Sequence, residues 1–394
     1  MNKLKKRIIQ SDCIDEMRKF SENSVDAIIT DPPYGLKFMG KEWDKFALGL
    51  QQFCQSWATE CLRVLKPGGF LLSFGGTRTY HRMVCGIEDA GFEIRDCIMW
   101  VYGSGFPKSL NIGKQIDKIK GVKRKVIGKS KAGFLEKNNV FELNNKGYGN
   151  YDVTVPATPE AKEWDGWGTA LKPALEPIVV ARKPLSKKNV ALNVLKWGTG
   201  GINIGACRIG NEKRFNQPAK SIYSENKEKI INDYKGQKVQ GRFPANIILD
   251  EKAGKMLGTP SRFFYCAKVS RSERNFGCEE LEERKLDESR KEGNPGGDNP
   301  RNRGVNPQRN NHPTLKPIKL MEYLVKLVSR EGAIILDPFL GSGTTAIACL
   351  KLNRKFIGIE KEPEYCKIAE ARVSLYLNKK SSREKRKHGH THNT

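Results

Sequence analysis

The chain has 394 residues, 38% of them hydrophobic, and carries 70 lysines and arginines against 44 acids, a formal net charge of +26. That length holds one large domain and a smaller one, and so strong a positive balance points to a polyanionic partner such as nucleic acid. No apolar run approaches the roughly 18 residues of a membrane span, no secretory leader opens the chain, and ten cysteines without a Cys-x-x-Cys pair read as reduced thiols of a cytoplasmic protein with no metal site.

In chain order, a short strand is expected over Arg7 to Asp12, with Ser11 and Asp12 placed to cap the helix that follows. Val25-Asp26-Ala27-Ile28-Ile29-Thr30 is β-branched and apolar, a buried strand by pattern. It stops at Asp31-Pro32-Pro33-Tyr34, because neither proline can donate to a ladder. Ligands of open α/β sheets sit beyond the carboxyl ends of strands. There the tetrapeptide offers a carboxylate, rigid prolyl carbonyls and a π-face, a set suited to a planar base bearing an exocyclic amine. Turn chemistry alone also accounts for an Asp-Pro-Pro.

A mixed loop from Leu36 to Asp44 follows, next to Tyr34 and placed to cover a base or touch DNA. Leu50, Phe53, Trp57, Cys61 and Val64 recur at helical spacing, and Lys66-Pro67-Gly68-Gly69 is expected to close that helix. A strand over Phe70–Phe74, a helix over Tyr80–Ala90 and a long strand over Phe92–Tyr102 come next, and a strand over Glu176–Lys183 looks like the last of this half. Between them, about 114–163 is a polar, basic insertion. Residues 184–311 change character, with Lys, Arg, Asn and Gly around small apolar islands such as Ala245–Leu249 and Phe263–Tyr265. The stretch 283–311 has too little apolar surface to order itself alone.

Regular pattern resumes after His312-Pro313-Thr314-Leu315-Lys316-Pro317, with a helix presenting Leu320, Met321, Leu324, Leu327 and Val328. A strand, Ala333–Asp337, runs into Pro338-Phe339-Leu340-Gly341-Ser342-Gly343-Thr344-Thr345 and then a helix. Glycines there let backbone approach a ligand, and the helix N-terminus favours an anion. The next strand ends in Glu360, where an acid binds ribose hydroxyls in nucleoside-binding α/β folds. A triphosphate-binding loop would need a lysine after the last glycine, and Thr344 stands there. A dinucleotide fingerprint would have a third glycine where Ala346 stands, and spacing alone leaves that alternative open.

Together these motifs resemble the amino-group DNA methyltransferases, which act on adenine N6 or cytosine N4, in their β motif order: catalytic motif first, variable region second, cofactor loop last. The resemblance covers about 1–110, 165–184 and 312–377. It implies an α/β fold, a circularly permuted, Rossmann-like S-adenosylmethionine-dependent methyltransferase sheet with an inserted target-recognition region. Residues from 312 onward must then pair beside the N-terminal strands. The implied parts are a catalytic half over 1–183, a recognition region over 184–311, a cofactor-binding half over 312–377 and a disordered basic tail over 378–394.

The resemblance also implies roles. Asp31, Pro32, Pro33 and Tyr34 are catalytic, and Phe106 and Trp100 are aromatic candidates to pack an extruded base. Asp12 and Cys13 would meet the adenine of the cofactor S-adenosylmethionine. Asp337 would hold its methionine amine, with Phe339, Gly341, Ser342 and Gly343 forming the loop. Thr344, Thr345 and Lys316, beside Thr314, would serve the carboxylate end, and Glu360 the ribose.

The expected activity is methyl transfer to adenine N6 in double-stranded DNA, by a monomer or homodimer with a cognate restriction endonuclease as a further partner. Alternatives are an N4-cytosine DNA methyltransferase, a protein glutamine methyltransferase, and an inactive DNA-binding relative. In the glutamine enzymes the cofactor loop precedes the tetrapeptide, the reverse of this order.

Overall fold

The computed structural model describes residues 7–36, 46, 49–103, 109–131, 150–216, 237–267, 273, 275–283, 309–312 and 315–389. Within them the strands are β1 (Arg7–Gln10), β2 (Val25–Thr30), β3 (Leu65–Phe74), β4 (Glu93–Val101), β5 (Val126–Lys131), β6 (Asn150–Thr154), β7 (Leu175–Arg182), β8 (Ile209–Asn216), β9 (Gln237–Arg242), β10 (Ile247–Asp250), β11 (Tyr265–Ala267), β12 (Ile334–Asp337) and β13 (Lys355–Glu360). The helices are α1 (Cys13–Met17), α2 (Leu50–Val64), α3 (Tyr80–Asp89), α4 (Ile112–Ile119), α5 (Pro159–Glu163), α6 (Val190–Trp197), α7 (Glu251–Leu257), α8 (Ile318–Val328), α9 (Thr344–Lys351) and α10 (Pro363–Gly389).

The chain divides into two compact units. The larger holds 1–103, 175–281 and 314–394; the smaller holds 104–174 and 282–313. The larger is built on one sheet in the order β1-β13-β12-β2-β3-β7-β4-β10-β11. Only β7 runs antiparallel to its neighbours among the described strands of this sheet. The permutation is explicit in the register. β12 lies on β2, with Ile335 opposite Ala27 and Leu336 opposite Ile28. β13 lies on β1, with Ile9 opposite Ile359.

Every residue of β2 is buried, as a parallel strand covered on both faces requires. Its one charged member, Asp26, is compensated: it takes the Lys66 ammonium at 2.6 Å and the backbone N–H of Ile334 at 2.7 Å. One face of the sheet carries α1, α2 and α3, which contribute Met17, Trp57, Cys61 and Ile87 to the core. The other carries α8 and α9, with Leu320, Met321, Leu324 and Ile347. Each such apolar side chain contributes about 1.5–3 kcal/mol when fully removed from water. The helical spacings expected for α2 and α8 thus mark the faces that pack.

Three boundaries differ from the sequence expectation. Lys66-Pro67-Gly68-Gly69 does not close α2, which ends at Val64, but lies inside β3, as a bulge between the pairs Val25–Leu65 and Ala27–Phe70. Gly68 supplies the positive φ of 79° this needs, and Asn193 reaches in to the Pro67 carbonyl. Residue 184 is not a structural boundary: α6 packs on β3, and β10 and β11 extend the sheet beyond β4, so 184–281 is built into the larger unit. Finally, α10 continues to Gly389. Lys, Arg, Glu and Ser fill its last turns, and no glycine or proline interrupts them before Gly389.

The smaller unit has its own anchor. Asp117 at the end of α4 accepts from the Arg124 guanidinium (2.6 Å), the Thr158 hydroxyl (2.9 Å) and the backbone N–H groups of Ala157 and Thr158. Burial works to raise its carboxyl, but those bonds and the Arg124 charge together outweigh it and hold the carboxyl below the usual range.

Candidate active site and cofactor cradle

At the carboxyl edge of the sheet, the prolines stop β2 and turn Asp31 and Tyr34 toward each other. The Tyr34 hydroxyl donates to Asp31 Oδ1 at 2.7 Å. The Lys316 ammonium, from the segment just before α8, donates to Asp31 Oδ2 at 2.6 Å. It also lies 3.3 Å from Tyr34 Oη and 3.2 Å from Glu176 Oε2. Tyr34 Oη is 3.3 Å from the same Glu176 oxygen. Two carboxylates, one ammonium and one phenol therefore share hydrogen bonds in a pocket walled by Phe74, whose ring centre is 4.8 Å from Lys316 Nζ. Burial, then the negative charge of Asp31 and Glu176, raises the Tyr34 phenol well above its ordinary range, so it is a donor at neutral pH. Burial works against the Lys316 charge, but the two carboxylates outweigh it and hold the ammonium above its ordinary range.

Glu176 was not singled out by its sequence context. It is the second residue of β7, and β7 is antiparallel, so its start lies at the edge where the parallel strands end. Trp100 of β4 is directly across from it in the ladder, and the Trp100 ring stands 5.4 Å from that of Tyr102. The other aromatic candidate, Phe106, lies outside the described residues.

The neighbouring strand ends build a second cluster. Asp337, ending β12, accepts from the Thr30 hydroxyl at 2.7 Å, from the backbone N–H of Phe339 at 3.1 Å, and from the Thr345 side chain. Thr30 immediately precedes Asp31, so β2 and β12 are tied together at their ends. Burial pushes the Asp337 carboxyl up to about 7. Glu360, ending β13, accepts from the backbone N–H groups of Gly341 at 2.7 Å and Glu362 at 2.8 Å, and burial raises it also.

Gly341 and Gly343 both take positive φ, 55° and 80°. A Cβ on Gly343 would stand 3.1 Å from the Ala369 Cβ. From α10 the buried Arg372 guanidinium donates to the Ser342 carbonyl and Oγ and reaches Thr344 Oγ1, fixing the loop from behind. Phe339 turns inward onto Trp57, ring centres 5.6 Å apart. Asp12 caps α1 by accepting from the Ile14 N–H at 3.0 Å, and Lys361 lies 3.7 Å from its other oxygen. The Cys13 thiol is buried and pushed above its ordinary range by desolvation first.

These groups fit the cofactor. Two carboxylates at adjacent strand ends match an ammonium and a ribose, and a glycine turn opening a helix matches a carboxylate. Lys316, expected at the carboxylate end of the cofactor, stands here with the tetrapeptide. Lys316 bonds to Asp31, Tyr34 and Glu176, where two partly buried carboxylates attract its charge. Thr314 lies outside the described residues. Among the described residues no cluster of metal ligands occurs, and no helix is long and apolar enough to cross a membrane.

A family model described as DNA methylase matches residues 25–371. The type II methyltransferase M.HindIII of Haemophilus influenzae is 24% identical, over 94% of this chain and 96% of its own length. M.HpaI of Haemophilus parainfluenzae is also 24% identical, over 94% of this chain and 75% of its own. M2.DpnII of Streptococcus pneumoniae is 52% identical over a 62-residue stretch, 16% of this chain and 23% of its own. Among solved structures, the PvuII DNA methyltransferase (cytosine-N4-specific) superposes with a TM-score of 0.46 at 15% identity, covering 95% of this chain and 92% of that chain. The chain belongs to the DNA methylase family of amino-group methyltransferases, which use S-adenosylmethionine to methylate adenine N6 or cytosine N4 in DNA.

Proposed function

We propose that this DNA methyltransferase acts on the N6 amine of adenine, with Asp31, Pro32, Pro33 and Tyr34 forming the catalytic site. The observation that carries the reading is the bond between Thr30 and Asp337, which joins the tetrapeptide strand to the glycine-loop strand. An acceptor for an amine and a cradle for a methyl donor then share one edge of the sheet. The initial Asp, rather than Ser, favours adenine within the resemblance.

The target base must leave the helix stack, at a cost of a few kcal/mol, before its amine meets Asp31. The amine lone pair is delocalised into the ring, so the nitrogen is a poor nucleophile. Asp31 and the Pro32 carbonyl accept its two hydrogens, which draws the nitrogen toward a tetrahedral shape and aims the lone pair. Tyr34 offers its ring to the base. Asp337, Glu360 and the Gly341–Thr345 loop hold S-adenosylmethionine, which when bound supplies an electrophilic methyl group. Fixed acceptors and proximity are the sources of rate. The surplus proton on the methylated nitrogen leaves along its hydrogen bond to Asp31.

The test is methylation of plasmid DNA by the purified protein, followed by nucleoside mass spectrometry. N6-methyladenine is expected. N4-methylcytosine would overturn the choice of base, and the absence of any methylated nucleoside would overturn the assignment of these residues.

A further inference from the structure

Both oxygens of Asp31 have partners within the protein, and they are of two kinds: Oδ1 takes the Tyr34 hydroxyl, and Oδ2 takes the Lys316 ammonium at 2.6 Å. The lysine is fixed rather than free to sweep. Its side chain is 8% exposed, it lies against the Phe74 ring, and Glu176 engages it from a third side. A strong donor therefore stands beside the acceptor proposed for the target amine.

That pair is complementary to one edge of a base. Adenine presents its N6 amine, a donor, next to N1, an acceptor; cytosine presents N4 next to N3 in the same way. The matching edges of guanine and thymine carry a proton on the corresponding ring nitrogen, where a lysine donor meets another donor. We propose that Lys316 is a base-selecting residue, its ammonium donating to the ring nitrogen beside the amine while Asp31 accepts from the amine itself. The inference rests on the proposed function, of which it names the base-recognition step.

Glu176 makes the step feasible. When Asp31 turns to the amine, the ammonium keeps an anionic partner 3.2 Å away and is not left as a lone buried charge. The proton stays on lysine, because Asp31 and Glu176 favour the charged form and a base ring nitrogen is far less basic. It therefore does not quench the amine lone pair. This use of Lys316 competes with the cofactor carboxylate for the same side chain, and the two separate experimentally.

The experiment uses duplexes carrying the mapped methylation site, with the target adenine either intact or replaced by 1-deazaadenine, which keeps the amine and lacks N1. Wild-type kcat/KM should fall about 10–100-fold on the deaza base, the usual cost of leaving a charged hydrogen-bonding group unmatched. Lys316→Met should be slow on adenine and treat the two bases alike, with unchanged calorimetric affinity for S-adenosylmethionine. Lys316→Gln keeps a donor and should retain part of the discrimination.

Equal wild-type rates on the two bases would overturn the proposal without recourse to any variant. Full discrimination in a folded Lys316→Met protein would overturn it too, and lost cofactor affinity alongside would return the residue to the cofactor carboxylate. If wild type methylates cytosine, 3-deazacytosine takes the place of the deaza base: a 10–100-fold fall supports the proposal, and equal rates overturn it. No methylation of either base would overturn the proposed function first and this inference with it.

Discussion

Asp31 and Asp337 are two carboxylates at neighbouring strand ends, given opposite duties by the proposed mechanism, and they should answer differently to change. Asp31 faces the base in the proposed mechanism, so Asp31→Ala should lower methyl transfer by at least about 10³-fold, while cofactor affinity measured by calorimetry stays near wild type. Substantial residual turnover would remove Asp31 from the chemistry. Asp337 is governed by burial, which pushes it up to about 7. The unfolded chain ionises this group near the ordinary carboxylate value, whereas the folded chain holds the proton until about 7. Its contribution to stability is thus fully present below the ordinary range and is lost as pH rises through 7. A ligand ammonium pairs only with the ionised form. Binding of S-adenosylmethionine at about pH 6 should therefore release a proton, and affinity should rise toward pH 8. Calorimetry in two buffers of different ionisation enthalpy measures this directly. Zero proton release at the lower pH would place the ammonium elsewhere.

The elements explain which parts of this design could be seen in the residue string. β2, α2, α8, β12 and β13 carry strong periodicity or short apolar runs bounded by turn residues, and each forms where the pattern puts it. The glycine loop and Glu360 fall where a strand–turn–helix unit would place them, because their partners are local. What stayed hidden depends on tertiary pairing. Glu176 reaches the site only because β7 is antiparallel, and Lys316 is 285 residues from Asp31 in sequence. Asn193 is the same kind of case. It donates to the carbonyls of Pro67 and Thr199 and accepts from the Ser186 N–H, so it pins α6 to the bulge of β3. Asn193→Ala should cost about 1–3 kcal/mol for each buried group left unmatched, read as a lower melting temperature with the methylation motif unchanged. A melting point equal to wild type would show the clamp to be incidental. Gly343→Val tests the loop in the same manner. A φ of 80° penalises any side chain by about 1–2 kcal/mol, and crowding against Ala369 adds to it. Cofactor affinity should drop, and a folded variant with unchanged affinity would move the cofactor away from this loop.

At the scale of the whole chain, charge and partition guide where the choice of DNA sequence is proposed. A net charge of +26 on 394 residues favours phosphate contacts, which position a protein without reading bases. DNA affinity should therefore fall with salt at a log–log slope of about −0.9 per phosphate contacted. Base choice needs side chains that reach groove edges, where Arg suits guanine and Asn or Gln suits adenine. We place that role in the middle of the chain, with Arg301, Asn302, Arg303, Gln308, Arg309 and Asn310 as candidates. The first four lie outside the described residues, and Arg309 is 3.7 Å from Glu283. The partition narrows the region further. Residues 184–281 supply α6, β10 and β11 to the large unit, whereas 282–313 group with 104–174. Exchanging 184–281 for the matching stretch of a relative should therefore damage folding, since two sheet strands change with it. Exchanging 282–311 should leave cofactor binding and methyl transfer intact and change the methylated sequence, detected by sequencing the DNA of expressing cells for modified bases. An active 282–311 chimera that keeps the original motif would shift base reading to 104–174 or to the loop after Tyr34, and a stable, active 184–281 chimera with a new motif would return it to the stretch that builds the sheet.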